Sequence, residues 1–403
     1  MQLTLRKGTL QDLANELQEQ QDRKVDLVVP AAKLWSRNGN VIVAGHGEPV
    51  ITDSGVTASN LELVPSTVFD TGMVAKLSEV GRPVGRAFIR GLRDTGRVDL
   101  VDSIYNGLLH GNRALEAPGD SRSFFVRTFS GQAPRGADDP GTLGYARAVL
   151  SDKYRPIDNM DVLMTVIQGL QNAGFSGHVV RQADLTDDKM YLRISVPEIT
   201  ALAPGLLHGY TSPYGGARGA DNPVVEAGIV ITNSETGGAA FTITPELVVQ
   251  ICRNGMTIKK DMIRKTHLGS KMDEGLVQVS DRTRKLNLDL VASQTQDAIT
   301  SYLNPDYMNR VLRQIESGSD ERVDDVEKAV ETIISRPAFS KSDAKGLLAS
   351  FMDGGDRTRG GLVNAITAYS QTVTDADRAY EMDADALVAV GFGNVSGRVP
   401  TGR

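Results

Sequence analysis

Val224-Val-Glu-Ala-Gly-Ile-Val-Ile-Thr-Asn-Ser-Glu-Thr-Gly-Gly-Ala-Ala-Phe-Thr-Ile-Thr244 decides the fold class. Its two ends carry β-branched residues, which suit a pleated surface. Its middle, Asn233-Ser-Glu-Thr-Gly-Gly238, supplies the Asn and Gly that a hairpin loop requires. The stretch reads as two antiparallel strands, Val224–Thr232 and Ala239–Thr244. Upstream, Lys189–Val196 and the aromatic run Ser123–Phe129 read as further strands, and Val25–Val29 is a short one closed by Pro30. Asn38-Gly39 marks a hairpin turn between Trp35 and Ala44, because both central positions of that turn need positive φ. Leu10, Leu13, Ala14 and Leu17 share one face of a helix over Thr9–Gln21, with Thr9 and Asp12 placed as a cap. Asp161–Ala173 is a second amphipathic helix, and residues 72–93 read as one or two more. Downstream the spacing becomes three-and-four: Glu246–Arg253, Leu286–Leu303, Tyr307–Glu316, Arg322–Ser335, Ser342–Met352, Leu362–Ser370 and Asp375–Val390. The expectation is an α+β fold, an antiparallel sheet packed with helices and followed by a mostly helical C-terminal region.

A length of 403 residues suggests more than one structural region. The expected division is an N-terminal α+β region over 1–115, a strand-rich central domain over 116–285, a helical region over 286–390 and a flexible tail over 391–403. Ala203–Pro223 is a long Gly/Pro-rich loop, of the kind that carries function. No run approaches 18 apolar residues, so no membrane helix is expected. Met1-Gln-Leu-Thr-Leu-Arg-Lys7 shows no apolar core before a cleavage site, so secretion is not expected either. A single cysteine, Cys252, excludes an intramolecular disulfide and points to a reducing cytoplasm.

The formal net charge is −6, but it is unevenly spread. Residues 286–403 hold 12 basic and 18 acidic side chains, while residues 1–285 balance at 32 of each. Within the balanced part, 251–285 carries nine basic residues against four acidic ones. Such blocks speak to partners and solubility rather than to fold.

Catalytic chemistry finds little footing. His46, His110, His178, His208 and His267 are scattered, with no pair one helical turn apart. Asp375, Asp377, Glu381, Asp383 and Asp385 are dense but lack the glycine of a calcium loop, and read as a solvated helix face. There is no Gly-x4-Gly-Lys-Ser/Thr loop and no Gly-x-Ser-x-Gly elbow. Cys252 lies among Val248, Val249 and Ile251 and reads as a buried thiol. No cofactor is expected.

Phosphate binding has more support, because arginine presents a planar fork and lysine a point charge. Arg82, Arg86, Arg90, Arg93 and Arg97 would share one face of a continuous helix, as would ordinary solvating residues. Arg147 precedes Lys153-Tyr154-Arg155, where an aromatic between cations could stack on a base; a turn into Pro156 explains the same residues. Lys259, Lys260, Arg264 and Lys265 follow the hairpin and flank a helix-like run ending at Thr266-His267. This is the best candidate patch, although solvent exposure alone also accounts for it.

Four stretches resemble one family. Ala146-Arg-Ala-Val-Leu-Ser-Asp-Lys-Tyr-Arg-Pro-Ile157 is similar to a Leu-Ser-Asp-x-Tyr-Arg-Pro segment of a phage- and plasmid-encoded family, known only as domain of unknown function 932. Thr232-Asn-Ser-Glu-Thr-Gly237 resembles its Asn-Ser-x-x-Gly turn, Val249-Gln-Ile-Cys-Arg-Asn-Gly255 the helix that follows, and Asn364-Ala-Ile-Thr-Ala-Tyr369 its C-terminal Asn-Ala-x-Thr-x-Tyr. The resemblance spans roughly residues 70–380 and implies a mobile-element gene expressed in the cytoplasm of a bacterial host. By analogy with phage single-strand annealing proteins, it implies an oligomer that holds a phosphate backbone in a basic groove without ATP or metal. The expected function is single-stranded nucleic-acid binding or strand annealing in DNA replication or recombination. Arg147, Lys153, Tyr154, Arg155, Lys259, Lys260, Arg264 and Lys265 are the expected contacts. The alternative is a phage structural or host-interaction protein.

Overall fold

The structure, a computed structural model, describes residues 4–31, 34–37, 40–43, 51–52, 55–56, 91–92, 95–110, 123–129, 145–151, 157–175, 179–186, 188–213, 215–236, 239–252, 254–265 and 281–397. Of the expected helices over 72–93 only residues 91–92 are among these, and Arg82, Arg86, Arg90 and Arg93 lie outside them. The fold is α+β, as the hairpin predicts.

Its centre is a seven-stranded antiparallel sheet of β1 (Leu5–Gly8), β9 (Val180–Leu185), β10 (Met190–Leu202), β11 (Val224–Asn233), β12 (Phe241–Val249), β13 (Gly255–Thr257) and β14 (Ile263–Lys265). The order is β1-β9-β10-β11-β12, with β13 and β14 both pairing with β12 along its outer edge. The remaining strands form a three-stranded sheet, β2 (Lys24–Pro30), β7 (Ser123–Phe129) and β8 (Tyr145–Ser151), and two hairpins. These hairpins are β3 (Leu34–Arg37) with β4 (Asn40–Val43), and β5 (Ile51–Thr52) with β6 (Gly55–Val56). Arg37 pairs with Asn40, which is the register the Asn-Gly turn signal predicts.

Nine helices of eight residues or more are described: α1 (Leu10–Arg23), α2 (Val98–His110), α3 (Asn159–Asn172), α4 (Asp281–Tyr302), α5 (Pro305–Ser319), α6 (Val326–Ile334), α7 (Ala344–Gly354), α8 (Arg359–Ser370) and α9 (Ala376–Ala389). The capping box of α1 forms as read, with Asp12 N donating to Thr9 Oγ1 (3.1 Å) and Thr9 N donating to Asp12 Oδ2 (2.8 Å).

Register explains how the central strands sort their side chains. Leu192 pairs with Ile231 and Ile231 with Ile243; Val196, Ala227 and Leu247 form another such row. These apolar rows join Leu13 and Leu17 of α1, Val162 and Val166 of α3, and Val291 and Ile299 of α4 in one core. Each fully buried aliphatic side chain contributes about 1.5–3 kcal/mol. The alternate rows are polar and still buried: Tyr191 with Thr232 and Thr242, Arg193 with Val230 and Thr244, Ser195 with Gly228 and Glu246. Helix α9 meets this second face, through Asp377 on Tyr191 (2.7 Å) and Asp383 on Arg193 (2.7 Å).

Three readings need correction. Glu246–Arg253 is not helical, because β12 continues to Val249. All nine residues of β12 are buried, so apolar residues appear on both faces and imitate helical spacing. The run toward Thr266 forms a 3-10 turn over Lys259–Asp261 and then β14 rather than a helix. The acidic positions of α9 are not simply a solvated face, since Asp383 is fully buried and Asp385 nearly so.

The chain ends are tied together. Lys7 N donates to Asp184 (2.7 Å), Arg6 donates to the carbonyl of Val373 (3.0 Å), and Lys7 Nζ to that of Gln371 (2.8 Å). The main core includes Leu13 and Leu17 together with residues from Ile157 to Val395, while Phe125, Ala148 and Leu150 form a separate small cluster. Residues 391–397, expected to be loose, are packed down, with Phe392 and Val395 buried.

Candidate nucleic-acid interface

Strand β13 delivers the chain into the turn: Ile258 N donates to the carbonyl of Pro245 on β12 (2.8 Å), and the 3-10 turn Lys259–Asp261 follows. Asp261 anchors this turn from inside. Its carboxylate accepts from Tyr307 Oη (2.7 Å), Ser396 Oγ (2.5 Å) and Gly397 N (2.7 Å), and its carbonyl accepts from Tyr302 Oη (2.6 Å). With Asp261 turned inward, Lys259 and Lys260 are exposed at the sheet edge. Arg264, also exposed, sits on β14 opposite Thr242 and has no hydrogen-bond or ion-pair partner among the described residues. Lys265 follows at the register position opposite Phe241. Four of the eight expected contacts therefore share one short edge segment.

The other four do not join them. Lys153, Tyr154 and Arg155 lie outside the described residues. Arg147 is corrected outright: it is fully buried, with Nη1 donating to Gln20 Oε1 (2.8 Å) and pairing with Glu235 (3.1 Å). A guanidinium enclosed in this way does not reach a phosphate. Arg97, the described member of the expected arginine face, pairs with Asp99 (3.0 Å).

The turn's lysines already hold oxygens. Lys259 Nζ lies 3.4 Å from Asp385 Oδ1, and Lys260 Nζ donates to the carbonyl of Asn394 (3.1 Å). Arg336 shares the same Asp385 carboxylate through Nε and through Nη2 (3.0 Å). Burial would raise the Asp385 carboxyl, but Arg336 and Lys259 beside it outweigh that and hold it below the usual carboxylate range.

The four family-like stretches meet in two pairs, both internal. Asn233 Nδ2 donates to the carbonyl of Ile157 (2.8 Å) and to Asn159 Oδ1 (2.8 Å), and Glu235 accepts from Asn159 N (2.7 Å) while pairing with Arg147. This junction extends to Arg127, which holds Asp26 in a two-pronged pair (3.0 and 2.8 Å) and Asp158 (2.7 Å). Burial opposes the charge on Asp158, and Arg127 and Lys24 overcome it, keeping its carboxyl well below the usual range. In the second pair Asn254 Nδ2 reaches the carbonyl of Asn364 at 3.5 Å. These stretches build joints between sheets and helices. Nothing in their local spacing signals this, because the partners lie far away in sequence.

A second internal ion network sits on the polar sheet face. Arg193 donates to Glu246 (2.6 Å) and Asp383 (2.7 Å), Arg181 donates to Glu246 (2.9 Å), and Ser370 Oγ donates to Asp383. Burial pushes the Asp383 carboxyl up to about 6, with Arg193 and Ser370 offsetting part of the rise. Sequence reading missed this network, since its members are up to 190 positions apart.

Cys252 is buried as read, and burial pushes its thiol up to about 11. Folded protein is therefore expected to resist iodoacetamide at pH 8, with labelling on mass spectrometry rising at least tenfold only when urea unfolds it. Among the described residues no cluster of three His, Cys, Asp or Glu side chains is placed to hold a metal ion, and no helix is long and apolar enough to cross a membrane. Set beside known proteins, the chain matches no family model, no curated protein and no solved structure.

Proposed function

We propose that the chain is a non-enzymatic single-stranded nucleic-acid-binding or strand-annealing protein of the phage and plasmid type, acting in DNA replication or recombination. The observation that supports this reading is the exposed grouping of Lys259, Lys260 and Arg264 on one edge segment of the central sheet. Flexible cations on a rigid edge suit a backbone of phosphates and carry no base preference. Fluorescence anisotropy with a labelled oligothymidylate tests it. Two to three phosphate contacts to a single strand predict a log–log salt slope between about −1.4 and −2, or roughly 7- to 20-fold weaker binding from 50 to 200 mM salt. Absence of salt-dependent binding would sink the reading.

A second reading, an assembly or host-interaction protein, draws on α4. Leu286 and Leu290, one turn apart, are 58% and 48% exposed. Exposed apolar pairs of this kind serve contacts with other proteins. On that reading, Leu290→Glu would abolish a concentration-dependent rise in sedimentation coefficient and leave nucleic-acid binding absent in both proteins.

A further inference from the structure

The C-terminal end of the chain converges on the turn that carries the cations. Three consecutive residues each hold a different part of it: Lys259 the Asp385 carboxylate in the C-terminal half of α9, Lys260 the carbonyl of Asn394, and Asp261 the hydroxyl of Ser396 and the amide of Gly397. The segment is fastened from its other side as well. Arg310 Nε donates to the carbonyl of Gly397 (2.7 Å), Gln314 Nε2 donates to the carbonyl of Ser396 (2.6 Å), and Ser396 N donates to Gln314 Oε1 (3.2 Å). Gly391 turns with φ +92°, a conformation that favours glycine, and lets the chain leave α9 for the sheet edge.

These contacts differ in strength. The Asp261 anchor is fully buried and accepts several hydrogen bonds, which makes it costly to break. The lysine contacts are solvent-facing, with the Lys259 side chain 43% exposed, and pairs of that kind exchange readily. The segment thus stays in place while the oxygens on Lys259 and Lys260 are replaceable.

From this geometry we infer that the chain's own C-terminal end competes for the cationic edge: Asp385 and the Asn394 carbonyl occupy Lys259 and Lys260 as phosphate oxygens would, and an incoming nucleic-acid backbone must displace them. The inference rests on the nucleic-acid reading and adds its regulation. It makes the edge selective for a dense row of phosphates over isolated anions, since one anion gains little by replacing one carboxylate. It also gives the acidic C-terminal third a definite task, lowering the affinity of the basic segment it faces.

The test is a double-mutant cycle on binding of labelled oligothymidylate at 50 mM salt, using the full chain. Asp385→Asn is expected to tighten binding about fivefold and to steepen the salt slope by about 0.7, as one more lysine–phosphate contact forms. Asp353→Asn, an exposed site on α7 with the same change in net charge, is expected to change binding less than twofold. Lys259→Gln is expected to cost under twofold in the wild-type background and about fivefold when combined with D385N. Equal effects of D385N and D353N, or an equal cost of K259Q in both backgrounds, would overturn the competition and leave the nucleic-acid reading standing. No salt-dependent binding by either wild type or D385N would overturn both. Should D385N fail to fold, single variants decide: Arg264→Gln is expected to weaken binding several-fold more than K259Q, and equal losses would overturn the inference.

Discussion

Replacing Arg193 by alanine is expected to destabilise the fold by about 3–5 kcal/mol, measured by urea unfolding at pH 7. The side chain lies between two carboxylates that are themselves fully shielded from water, Glu246 at 2.6 Å and Asp383 at 2.7 Å. Among the described residues, removing it leaves Asp383 hydrogen-bonded to the Ser370 hydroxyl and Glu246 paired with Arg181. A loss under 1 kcal/mol would show that the guanidinium does not bridge them. The deficit is also expected to shrink toward pH 4, where protonation removes the stranded charge. Asp383 supplies a second readout. Its folded pKa, pushed up to about 6 by burial, lies above its value of 3.8 in the unfolded chain. The stability it contributes is therefore fully present below about pH 3.8 and lost as pH rises through about 6. Asp383→Asn removes that dependence, so the stability advantage of wild type over D383N falls across this window. A constant difference from pH 4 to 6.5 would refute the assignment.

Glu235→Ala is expected to cost a similar amount, about 3–5 kcal/mol, for a different reason. Glu235 is the acceptor at which the two sheets meet: it receives the first amide of α3 from Asn159 and pairs with Arg147 at 3.1 Å and Arg127 at 3.5 Å. Without it, two buried arginines lose a counter-charge, though Arg127 keeps Asp26 and Asp158. Damage should therefore centre on Arg147 and on β8, which carries it. Hydrogen exchange followed by mass spectrometry is expected to show β7 and β8 losing protection before β10–β12. Uniform loss across both sheets would contradict the junction role. Glu235→Gln keeps an acceptor for Asn159 and is expected to cost less than half as much.

The sequence is legible where local physics suffices. The antiparallel pairing of β11 with β12, the Thr9–Asp12 cap and the spacing of Leu13 and Leu17 are signalled by near neighbours, and each forms as read. What fails is whatever depends on a distant partner. Arg147 looks like a surface cation until Gln20 and Glu235 close around it. Asp383 looks like one of five solvated acids until Arg193 arrives from the sheet. Glu246–Val249 looks helical because a strand covered on both sides no longer alternates. For the candidate site, the basic cluster after the hairpin was visible in composition, and three of its side chains are exposed. Its engagement by Asp385 and Asn394 was not visible, since those partners lie 126 and 134 positions downstream.

The tie between the chain ends has a kinetic meaning. Strand β1 completes the sheet only when β9 is present, and Arg6 and Lys7 also need the carbonyls of Val373 and Gln371, 367 and 364 positions away. During synthesis Asp184 of β9 follows Lys7 by 177 positions, so the strands can pair well before Gln371 and Val373 are made. The N-terminal segment therefore waits unpaired only until β9 is made, and the clasp of Arg6 and Lys7 onto the two carbonyls belongs to a later stage of folding. Nascent chains stalled before residue 371 should have β1 paired with β9 but lack that clasp, so the edge is held by its ladder alone until the later helices arrive.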